Sequence, residues 1–407
     1  MKKSILVQKF GGTSVGSTER IRRVADRIIA SKDRAESLVV VVSAMGHTTD
    51  ELVGLSKDIS KSPDPREYDA LLSTGETVSA ALVAMALIEK GQPAISLTGP
   101  QAGVRTENLH SRAKILDVDT TRIKRELAAG KVVIVTGFQG FNAENDVTTI
   151  GRGGSDTSAV VLAAALGCDE CEIFTDVDGV YTTDPRKVKN ARKLDVISYD
   201  EMLELASLGA GVLHPRSVEC GKENNVIIHV RSSFGDSEGT RVKEVGSMEV
   251  NKPVTGVTVN KDEAILSIIN LPDTPGIAGK VFTRLAQKGI NVDMIIQSVE
   301  RGDKNNISFS VNCDDLDLAK TITDDIAKEL GASEVTTDDS VAKVSAVGVG
   351  MISKPGTAAR MFEALGNAGI NILRITTSEI KISCAIPRDK AELALDVLHS
   401  AFELDKA

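Results

Sequence analysis

The sequence predicts an α/β protein whose larger part is a mostly parallel sheet sandwiched by helices and whose smaller part is a pair of repeated α/β units. Three observations support this prediction. Short β-branched runs alternate with helical stretches in the first half, a gapless internal repeat fills the second half, and 42% of the 407 residues are apolar while 26% are charged. This composition is that of a globular chain long enough for roughly two to four domains.

The first half contains short apolar runs that have the length of buried strands: 5–7, 38–42, 94–97, 132–135, 173–175 and 226–230. Between these runs, apolar residues recur at helical spacing, as at Ile21, Val24, Ala25 and Ile28. Strands that alternate with helices pair in parallel, and a parallel sheet needs helices on both faces. The first half therefore predicts the sandwiched sheet.

The second half repeats itself after eighty residues, since residues 273–292 align without gaps onto residues 353–372. Each copy predicts a strand, a Pro-Gly loop, a helix, two strands and a helix, in the order βαββα. A further apolar run at 254–259 could complete either small sheet. We expect a large domain at 1–245, a linker with an extra strand at 246–263, and two repeat domains at 264–336 and 337–407.

Charge and cysteine content exclude several classes of function. The net charge is -9 and basic residues are scattered along the chain, so no nucleic-acid partner is expected. No apolar run reaches the length of a membrane span, and the N-terminal apolar stretch, cut short by Gln8 and Lys9, is interpreted as a strand rather than a signal peptide. Five cysteines without a secretion signal favour reduced thiols in a cytoplasmic protein. The single C-x-x-C pair, Cys168 and Cys171, is weak evidence for zinc or redox chemistry.

The first strand ends in a lysine followed by two glycines, Lys9, Gly11 and Gly12. Glycines there would let backbone N–H groups approach a phosphate, and a lysine at the strand tip can neutralise charge that develops during transfer. The stretch is not a Walker A loop, because the lysine precedes the glycines. A tight turn with a solvated lysine is the alternative interpretation.

Two stretches rich in hydroxyl side chains come next: one follows the predicted strand 38–42, and the other precedes an apolar helix. Residues 43–50, which include Ser43 and Thr49, form a loop whose hydroxyl and N–H groups could bind a carboxylate or a phosphate. Glu76 lies in the first turn of the helix after Ser73-Thr74-Gly75, where an acidic residue is favourable on dipole grounds alone. Simple helix capping explains the second stretch equally well.

A glycine-rich stretch with an arginine, residues 151–158, precedes a helix made of small residues. Arg152 can hold a carboxylate in bidentate fashion while Ser155 and helix N–H groups assist. Asp156 is oddly placed for anion binding but suits a substrate ammonium. An arginine for one carboxylate and acids for an amine describe a pocket for an amino acid.

The strand that ends at Thr175 leads into a turn rich in Asp, Gly and Pro. Open α/β sheets bind ligands outside the carboxyl ends of their strands, so nucleotide contacts are the functional interpretation. An ordinary Asp-Gly turn is the alternative.

In combination, the stretches KFGGTS, VSAMGHTTDEL, STGE, GRGGSDTSA, FTDVDGVYTTDPR and LHPR resemble the aspartate kinase branch of the amino-acid kinase family. The small repeats resemble ACT domains, and the resemblance covers essentially the whole chain. It implies the amino-acid kinase fold followed by two βαββαβ ACT-like, ferredoxin-like domains. It also implies transfer of the γ-phosphate of ATP to the β-carboxylate of L-aspartate, giving 4-phospho-L-aspartate in the first step of lysine, threonine and methionine biosynthesis.

The resemblance assigns roles to individual residues. It implies catalytic roles for Lys9 and Asp156, and an aspartate site lined by Ser43, Thr49, Glu76, Arg152 and Ser155. The implied nucleotide contacts are Lys9, Phe10, Gly11, Gly12, Thr175, Asp176, Tyr181 and Arg186, with Mg²⁺ bridging the phosphates and no side chain assigned as a metal ligand. One departure from the family pattern is Gly211, where many relatives carry a lysine, which puts a side-chain contact to the nucleotide there in doubt.

The ACT-like copies imply regulation by an end-product amino acid, lysine or threonine or both. The implied effector contacts are Asp273, Ala278, Asn291, Asp293 and Gln297. The second copy has Ser353 where the first has Asp273, so the first copy is expected to bind the ligand and the second to pair. ACT-like modules tend to pair edge to edge, which implies a homodimer through these domains, or a higher oligomer.

Two alternatives remain open from the sequence. Another kinase of the same family would phosphorylate glutamate, carbamate or a nucleoside monophosphate; Glu76, the GRGGSD stretch and the paired repeats favour aspartate. A non-catalytic amino-acid sensor would bind its ligand without ATP turnover, and the presence of Lys9, Arg152 and Asp156 speaks against it.

Overall fold

The computed structural model describes residues 3–245, 252–300 and 304–406. The chain divides into two compact units. Within the described residues, the first unit contains 3–181, 193–207 and 211–245, and the second contains 182–192, 208–210 and everything from 252 onward. Two short segments, which lie between stretches of the first unit along the chain, thus belong to the second unit.

The first unit contains all helices and strands up to residue 242. Its strands are β1 (Lys3–Phe10), β2 (Ala35–Val42), β3 (Ala94–Leu97), β4 (Val104–Thr106), β5 (Ile115–Val118), β6 (Val132–Thr136), β7 (Gln139–Phe141), β8 (Val147–Thr149), β9 (Glu170–Thr175), β10 (Val180–Tyr181), β11 (Lys193–Leu194), β12 (Val196–Ile197), β13 (Ile227–Ser232) and β14 (Thr240–Val242). Its helices are α1 (Thr18–Ser31), α2 (Thr48–Ile59), α3 (Pro65–Leu72), α4 (Thr74–Glu89), α5 (Thr121–Ala128), α6 (Gly154–Ala165), α7 (Tyr199–Ser207) and α8 (Pro215–Asn224).

The main sheet of the first unit has eight strands in the order β12-β14-β13-β9-β1-β2-β6-β3. Every neighbouring pair from β13 to β3 is parallel, and β14 runs antiparallel to β13. The six apolar runs of the sequence all fall in this sheet, so the predicted α/β class is confirmed.

Helices cover both faces of the main sheet. The apolar stripe of α1 packs with α4 against one face, in a core that includes Phe10, Leu38 and Phe174. Helix α6 lies against β1, β2 and β9 on the other face. Because both faces are covered, β6 is buried along its whole length, as its unbroken apolar sequence requires. Cys171 lies in β9, where burial raises the pKa of its thiol well above the usual range.

A second sheet of the first unit was not predicted. It has four strands of three or four residues in the order β5-β4-β7-β8. The helical segment 65–89 passes, by length and composition alone, as a possible membrane span. It contains the buried carboxylates of Asp69 and Glu76, both of which accept hydrogen bonds, and α4 packs on the main sheet, so we interpret it as a core helix.

The second unit contains the two repeats. Its strands are β15 (Gly256–Asn260), β16 (Glu263–Pro272), β17 (Ile295–Glu300), β18 (Lys304–Asn312), β19 (Glu334–Asp338), β20 (Val341–Val347), β21 (Arg374–Thr377) and β22 (Lys381–Pro387), and its helices are α9 (Ile277–Gln287), α10 (Leu316–Leu330), α11 (Thr357–Asn367) and α12 (Ala391–Ala401).

Each repeat forms one four-stranded antiparallel sheet backed by two helices. The first sheet has the order β17-β18-β16-β19, and the second has the order β15-β20-β22-β21. The first copy is therefore βαββαβ, with β19 as its last strand. In the second copy, β15 pairs with β20 and takes the place of the last strand. The extra apolar run of the sequence thus completes the second small sheet.

The segment 182–192 is built into the second repeat. Val188 is buried in the apolar core that contains Val344, Met361 and Leu395. The carbonyl oxygen of Thr182 accepts a hydrogen bond from the N–H of Val257, and its hydroxyl lies 3.0 Å from Nε2 of His399. These contacts fix the segment to the ACT-like fold rather than leaving it as a surface loop.

Candidate active site

Lys9 and Asp156 form a buried ion pair at the carboxyl end of β1. The Nζ of Lys9 lies 2.5 Å from Oδ1 of Asp156, and the two side chains are 11% and 12% exposed. Strand β1 is paired in parallel on both sides, with β2 and β9, which fixes the position of Lys9 at the tip. The lysine predicted to act on a phosphate is thus held by a carboxylate from the first turn of α6.

The two glycines after β1 allow the loops after β1 and β2 to come close together. A Cβ on Gly12 would lie 2.9 Å from the carbonyl oxygen of Ala44, and one on Gly11 would lie 3.4 Å from Nζ of Lys9. The N–H of Gly46 donates to the carbonyl oxygen of Gly12, at 3.0 Å. A side chain at Gly12 would therefore separate the loop after β1 from the loop after β2, which carries Ser43.

Glu76 lies beneath the loop after β2, in the first turn of α4, and is 3% exposed. Its Oε1 accepts a hydrogen bond from the N–H of Ala44 at 3.1 Å, while its Oε2 has no hydrogen-bond partner among the described residues. Burial raises the pKa of Glu76 from 4.5 to about 7, against the stabilising effect of that N–H. Ser43 is half-buried at the start of the same loop, and Thr49 is half-buried in the first turn of α2.

The predicted carboxylate-binding stretch forms the N-terminus of α6. Gly153 caps the helix with a φ of +68°, and a Cβ there would lie 2.1 Å from Cβ of His214. Arg152 is exposed in the loop just before the helix, and Ser155 is buried in its first turn. The glycines therefore serve a left-handed turn and a close approach, and they leave Arg152 accessible to a ligand.

His214 and Arg216 support this loop, and neither residue was predicted to have an individual role. Arg216 lies in the first turn of α8 and donates hydrogen bonds to the carbonyl oxygens of Ile150 and Ala113. Burial, together with the charge of Arg216, lowers the pKa of His214. The His-Pro-Arg stretch signals a helix start, with Pro215 in the first turn, but its partners are too distant in sequence to be foreseen.

Asp69 is a second supporting residue that the sequence did not reveal. It is fully buried in α3 and accepts hydrogen bonds from the N–H of Ser111, from the N–H and hydroxyl of Thr149, and it lies 2.9 Å from Nδ1 of His110. It ties α3 to the small sheet at Thr149, one residue before the chain enters the loop that contains Arg152.

The predicted nucleotide contacts divide into three groups. Thr175 and Asp176 lie at the end of β9, where the hydroxyl of Thr175 donates to Asp176 at 3.1 Å. Tyr181 donates its hydroxyl to Asp178 at 2.8 Å; burial, and then this contact, raise the pKa of Tyr181 to about 12. Arg186 lies in the second unit, where it pairs with Asp184 at 3.0 Å.

Phe10 and Gly211 restrict what the remaining predicted contacts can be. The ring of Phe10 stacks on that of Phe174 with centroids 4.7 Å apart, inside the core. Only the backbone of Phe10 is thus available to a nucleotide. Gly211 has a φ of +67°, a conformation that favours glycine over the lysine that the resemblance leads us to expect there.

Among the described residues, one group of side chains has the spacing of a metal site: Glu170, Glu172 and His229. Glu172 already pairs with Arg34 at 2.7 Å and with Arg231 at 2.9 Å. Glu172 lies on the same face of the sheet as Gln8, from which it accepts a hydrogen bond. Successive side chains of a strand point to opposite faces, so Gln8 and Glu172 lie on the face opposite Lys9. We interpret the group as a structural ionic network apart from the candidate active site.

The predicted effector residues do not all meet in one place. Asp273, Ala278 and Gln297 line a cavity of about 270 Å³ between the start of α9 and the strands β17 and β18. Asn291 and Asp293 are not among its lining residues, and Asp293 instead forms an ion pair with Lys343 of the second repeat. Lys343 also pairs with Glu263 at 2.5 Å, so these contacts join the two repeats.

Two family models match most of this chain, and known proteins resemble it over its whole length. The model of the amino acid kinase family matches residues 4–232, and an ACT domain model matches residues 266–324 and 344–402. Aspartokinase 2 of Bacillus subtilis is 51% identical over 99% of this chain and 98% of its own length, and an aspartokinase of Thermus thermophilus is 50% identical over 99% and 100%.

Solved structures show the same similarity over the whole chain. Escherichia coli aspartokinase III in complex with aspartate and ADP has a TM-score of 0.82 and 25% identity, over 98% of this chain and all of that one. The same enzyme in complex with lysine and aspartate has a TM-score of 0.75 and 27% identity, over 98% and 99%. This chain therefore belongs to the aspartate kinases of the amino-acid kinase family, with two C-terminal ACT domains.

Proposed function

We propose that this aspartate kinase moves the γ-phosphate of ATP onto the β-carboxylate of L-aspartate to give 4-phospho-L-aspartate, the first step towards lysine, threonine and methionine. The observation that carries the proposal is the buried pair of Lys9 and Asp156 at the tip of β1, next to a helix N-terminus that presents Arg152. A cation between two anionic substrates reduces the repulsion that would otherwise keep them apart.

The nucleophile needs no general base in this proposal. An unperturbed aspartate side chain has a pKa near 3.9, so the substrate carboxylate is ionised at neutral pH. Catalysis then depends on alignment of the two substrates and on neutralisation of charge on the transferring phosphoryl group. Lys9 supplies that charge, and the backbone N–H groups near Gly11 and Gly12 line the same strand tip.

Recognition of the amino acid is assigned to the two sides of the pocket. Arg152 would hold a substrate carboxylate in bidentate fashion, with Ser155 beside it on α6. Glu76, whose Oε2 has no partner among the described residues, would receive the substrate ammonium. Ser43 and Thr49 complete the proposed aspartate site from the loop after β2 and the start of α2.

ATP is the proposed phosphate donor, and Mg²⁺ its metal. The complex of the E. coli relative contains ADP and aspartate, which supports nucleotide use here. Asp156 is the carboxylate paired with Lys9, and Mg²⁺ usually binds through one or two carboxylates together with substrate phosphates. When bound, the ion would neutralise phosphate charge. The proposed nucleotide contacts within the first unit are Lys9, Phe10 through its backbone, Gly11, Gly12, Thr175, Asp176 and Tyr181, while a contact from Arg186 stays a prediction of the resemblance.

Allosteric control is assigned to the first ACT domain. The cavity lined by Asp273, Ala278 and Gln297 is the proposed effector site, and lysine is the first candidate because the E. coli relative binds it. Threonine is the second candidate. Pairing of the protein into a homodimer through its ACT domains, or into a higher oligomer, and a cytoplasmic location complete the proposal.

The test is ATP-dependent formation of aspartyl hydroxamate, in which hydroxylamine traps the acyl phosphate. We expect turnover with aspartate, little with glutamate, and inhibition by lysine or threonine. Lys9→Ala should lower kcat by about a thousandfold or more, as loss of a transition-state charge contact does. Lys61→Ala, which removes an exposed lysine elsewhere, is the matched control. Near-normal turnover by Lys9→Ala would remove Lys9 from catalysis, and ligand binding without turnover would favour a sensor.

A further inference from the structure

A buried amide lies directly beneath the proposed effector site. Asn305, on β18, is 3% exposed, whereas Asp273 above it is exposed. Nδ2 of Asn305 donates a hydrogen bond to Oδ1 of Asp273 at 2.7 Å, and both residues line the cavity of about 270 Å³. One oxygen of the exposed carboxylate is therefore held by a donor that is itself fixed within a sheet.

The orientation of the Asn305 side chain carries a free-energy cost. Oδ1 of Asn305 is buried and accepts no hydrogen bond from any of the described residues. A buried acceptor without a partner is unfavourable, and native proteins contain few of them. An apolar side chain of the same size would avoid that cost, so a stable sheet alone does not explain an asparagine at this position.

The second repeat contains neither member of the pair. Strand pairing identifies the equivalent positions of the two copies. In the first sheet Phe309 pairs with Leu266, and in the second sheet Ile382 pairs with Ala346. Ala346 lies eighty residues after Leu266, so Ile382 is the equivalent of Phe309. Position 378 therefore corresponds to Asn305, but Ser378 already lies in the turn between β21 and β22, where its N–H donates to the carbonyl oxygen of Lys381. Ser353 replaces Asp273. The carboxylate and its amide support thus occur together in one copy and are both missing from the other.

We infer that Asn305 is a positioning residue for effector recognition, and that it fixes the carboxylate of Asp273 to receive the ammonium group of an amino acid. The inference rests on the proposed function of this cavity as the effector site. A carboxylate with one oxygen held in place loses less conformational freedom when an ammonium binds. Specificity for an amine would then come from the exposed Asp273, and affinity from the buried amide that orients it.

The test uses Asn305→Leu in the full-length protein, with lysine and threonine as probes. Leucine removes both the donor and the buried acceptor without a partner, so the thermal unfolding temperature should stay level or rise. Affinity for the effector, measured by calorimetry, should fall about tenfold, the effect of one lost hydrogen bond to a charged group. A purely structural role predicts instead that stability falls and that affinity changes little.

A double-mutant cycle with Asp273→Asn separates the inference from the proposal on which it rests. If Asn305 acts through Asp273, Asn305→Leu should change affinity by less than about twofold once Asp273→Asn is present, because the two effects are not additive. Asn306→Ala is the matched control: it removes a neighbouring amide that accepts from the N–H of Asn270, and affinity should stay within about twofold.

The outcomes are distinguishable. Additive losses in the cycle, or wild-type affinity in Asn305→Leu, overturn the positioning role while leaving the effector site in place. Wild-type affinity in Asp273→Asn, or binding of neither probe by the parent protein, overturns the effector site itself, and the inference with it.

Discussion

Replacing Glu76 by glutamine should make the protein more stable and a poorer kinase. Glu76 is 3% exposed and receives one hydrogen bond, from the N–H of Ala44, while Oε2 has no partner among the described residues. Burial raises the pKa of this carboxyl from 4.5 to about 7. Burial therefore disfavours the ionised form that the proposed contact with a substrate ammonium requires.

The sign of the effect follows from proton binding in the folded and unfolded states. Below pH 4.5 the carboxyl is neutral in both states and Glu76 carries no ionisation cost. As pH rises from 4.5 to about 7, the folded state keeps a proton that the unfolded state has lost, so stability falls with pH. Above pH 7 the full cost applies. A difference of about 2.5 pH units, at about 1.36 kcal/mol each, gives about 3 kcal/mol.

Glu76→Gln cannot ionise and should escape this cost. We expect its unfolding temperature without ligands to exceed that of the parent by about 6–12 °C at pH 8, and to differ little at pH 4.5, using about 2–4 °C per kcal/mol for a unit of this size. The KM for aspartate should rise because the proposed ammonium contact loses its charge. Thermal unfolding at several pH values and hydroxamate kinetics measure the two effects.

Glu126→Gln is the matched control, because its carboxylate is stabilised rather than destabilised. Hydrogen bonds from Lys131 and Arg125 lower the pKa of Glu126, so its contribution to stability is present above its unfolded pKa and is lost as the pH falls. Glu126→Gln should therefore destabilise the protein, more at pH 8 than at pH 4.5. If Glu76→Gln shows the same trend as this control, or no dependence on pH, burial of an ionised Glu76 does not oppose folding.

Three further substitutions test the rest of the site. Lys9→Met should destabilise the protein by about 3–5 kcal/mol in urea unfolding, because it leaves Asp156 buried without its cation. Adding Asp156→Asn should restore stability but not turnover. Full stability in the single variant would contradict the pairing. Arg152→Ala should raise the KM for aspartate about 10- to 100-fold while stability changes by less than about 0.5 kcal/mol, since Arg152 is exposed; an unchanged KM removes it from the site. Asp69→Asn should cost about 2–4 kcal/mol in thermal unfolding, because an amide cannot accept from every donor around Asp69, and an unchanged unfolding temperature would refute that network.

The fold was predictable from the sequence where local patterns repeat. Buried parallel strands have unbroken apolar runs, as in β6. The eighty-residue repeat predicts two similar units from the sequence alone. The sheet β5-β4-β7-β8 was missed because strands of three or four residues are too short to show a period. The placement of segment 182–192 in the second repeat was missed because Val188 finds its apolar neighbours more than 60 residues away.

The candidate site was predictable to the extent that its residues lie in local motifs. Lys9 and Asp156 were both expected near the reacting groups, and the structure pairs them. The supporting residues Asp69, Arg216 and Asn305 were not foreseen, because each acts through a partner at least 30 residues away and lies in a stretch that otherwise looks like ordinary helix or strand. Local motifs thus identify candidate ligand-binding groups, while the residues that orient those groups emerge only with the fold.

The pairing of Lys9 with Asp156 also explains how an acidic protein can keep a cation ready for an anionic substrate. A buried ammonium is costly without a counter-charge, and Asp156 supplies one at 2.5 Å. The N-terminal position of Asp156 in α6 stabilises that carboxylate in turn. In the proposed reaction, Lys9 would share its charge between Asp156 and the phosphoryl group without leaving the tip of β1, because β1 is fixed by parallel pairing on both sides. Lys9 and Asp156 therefore act as one unit, and the effects of replacing them should not add.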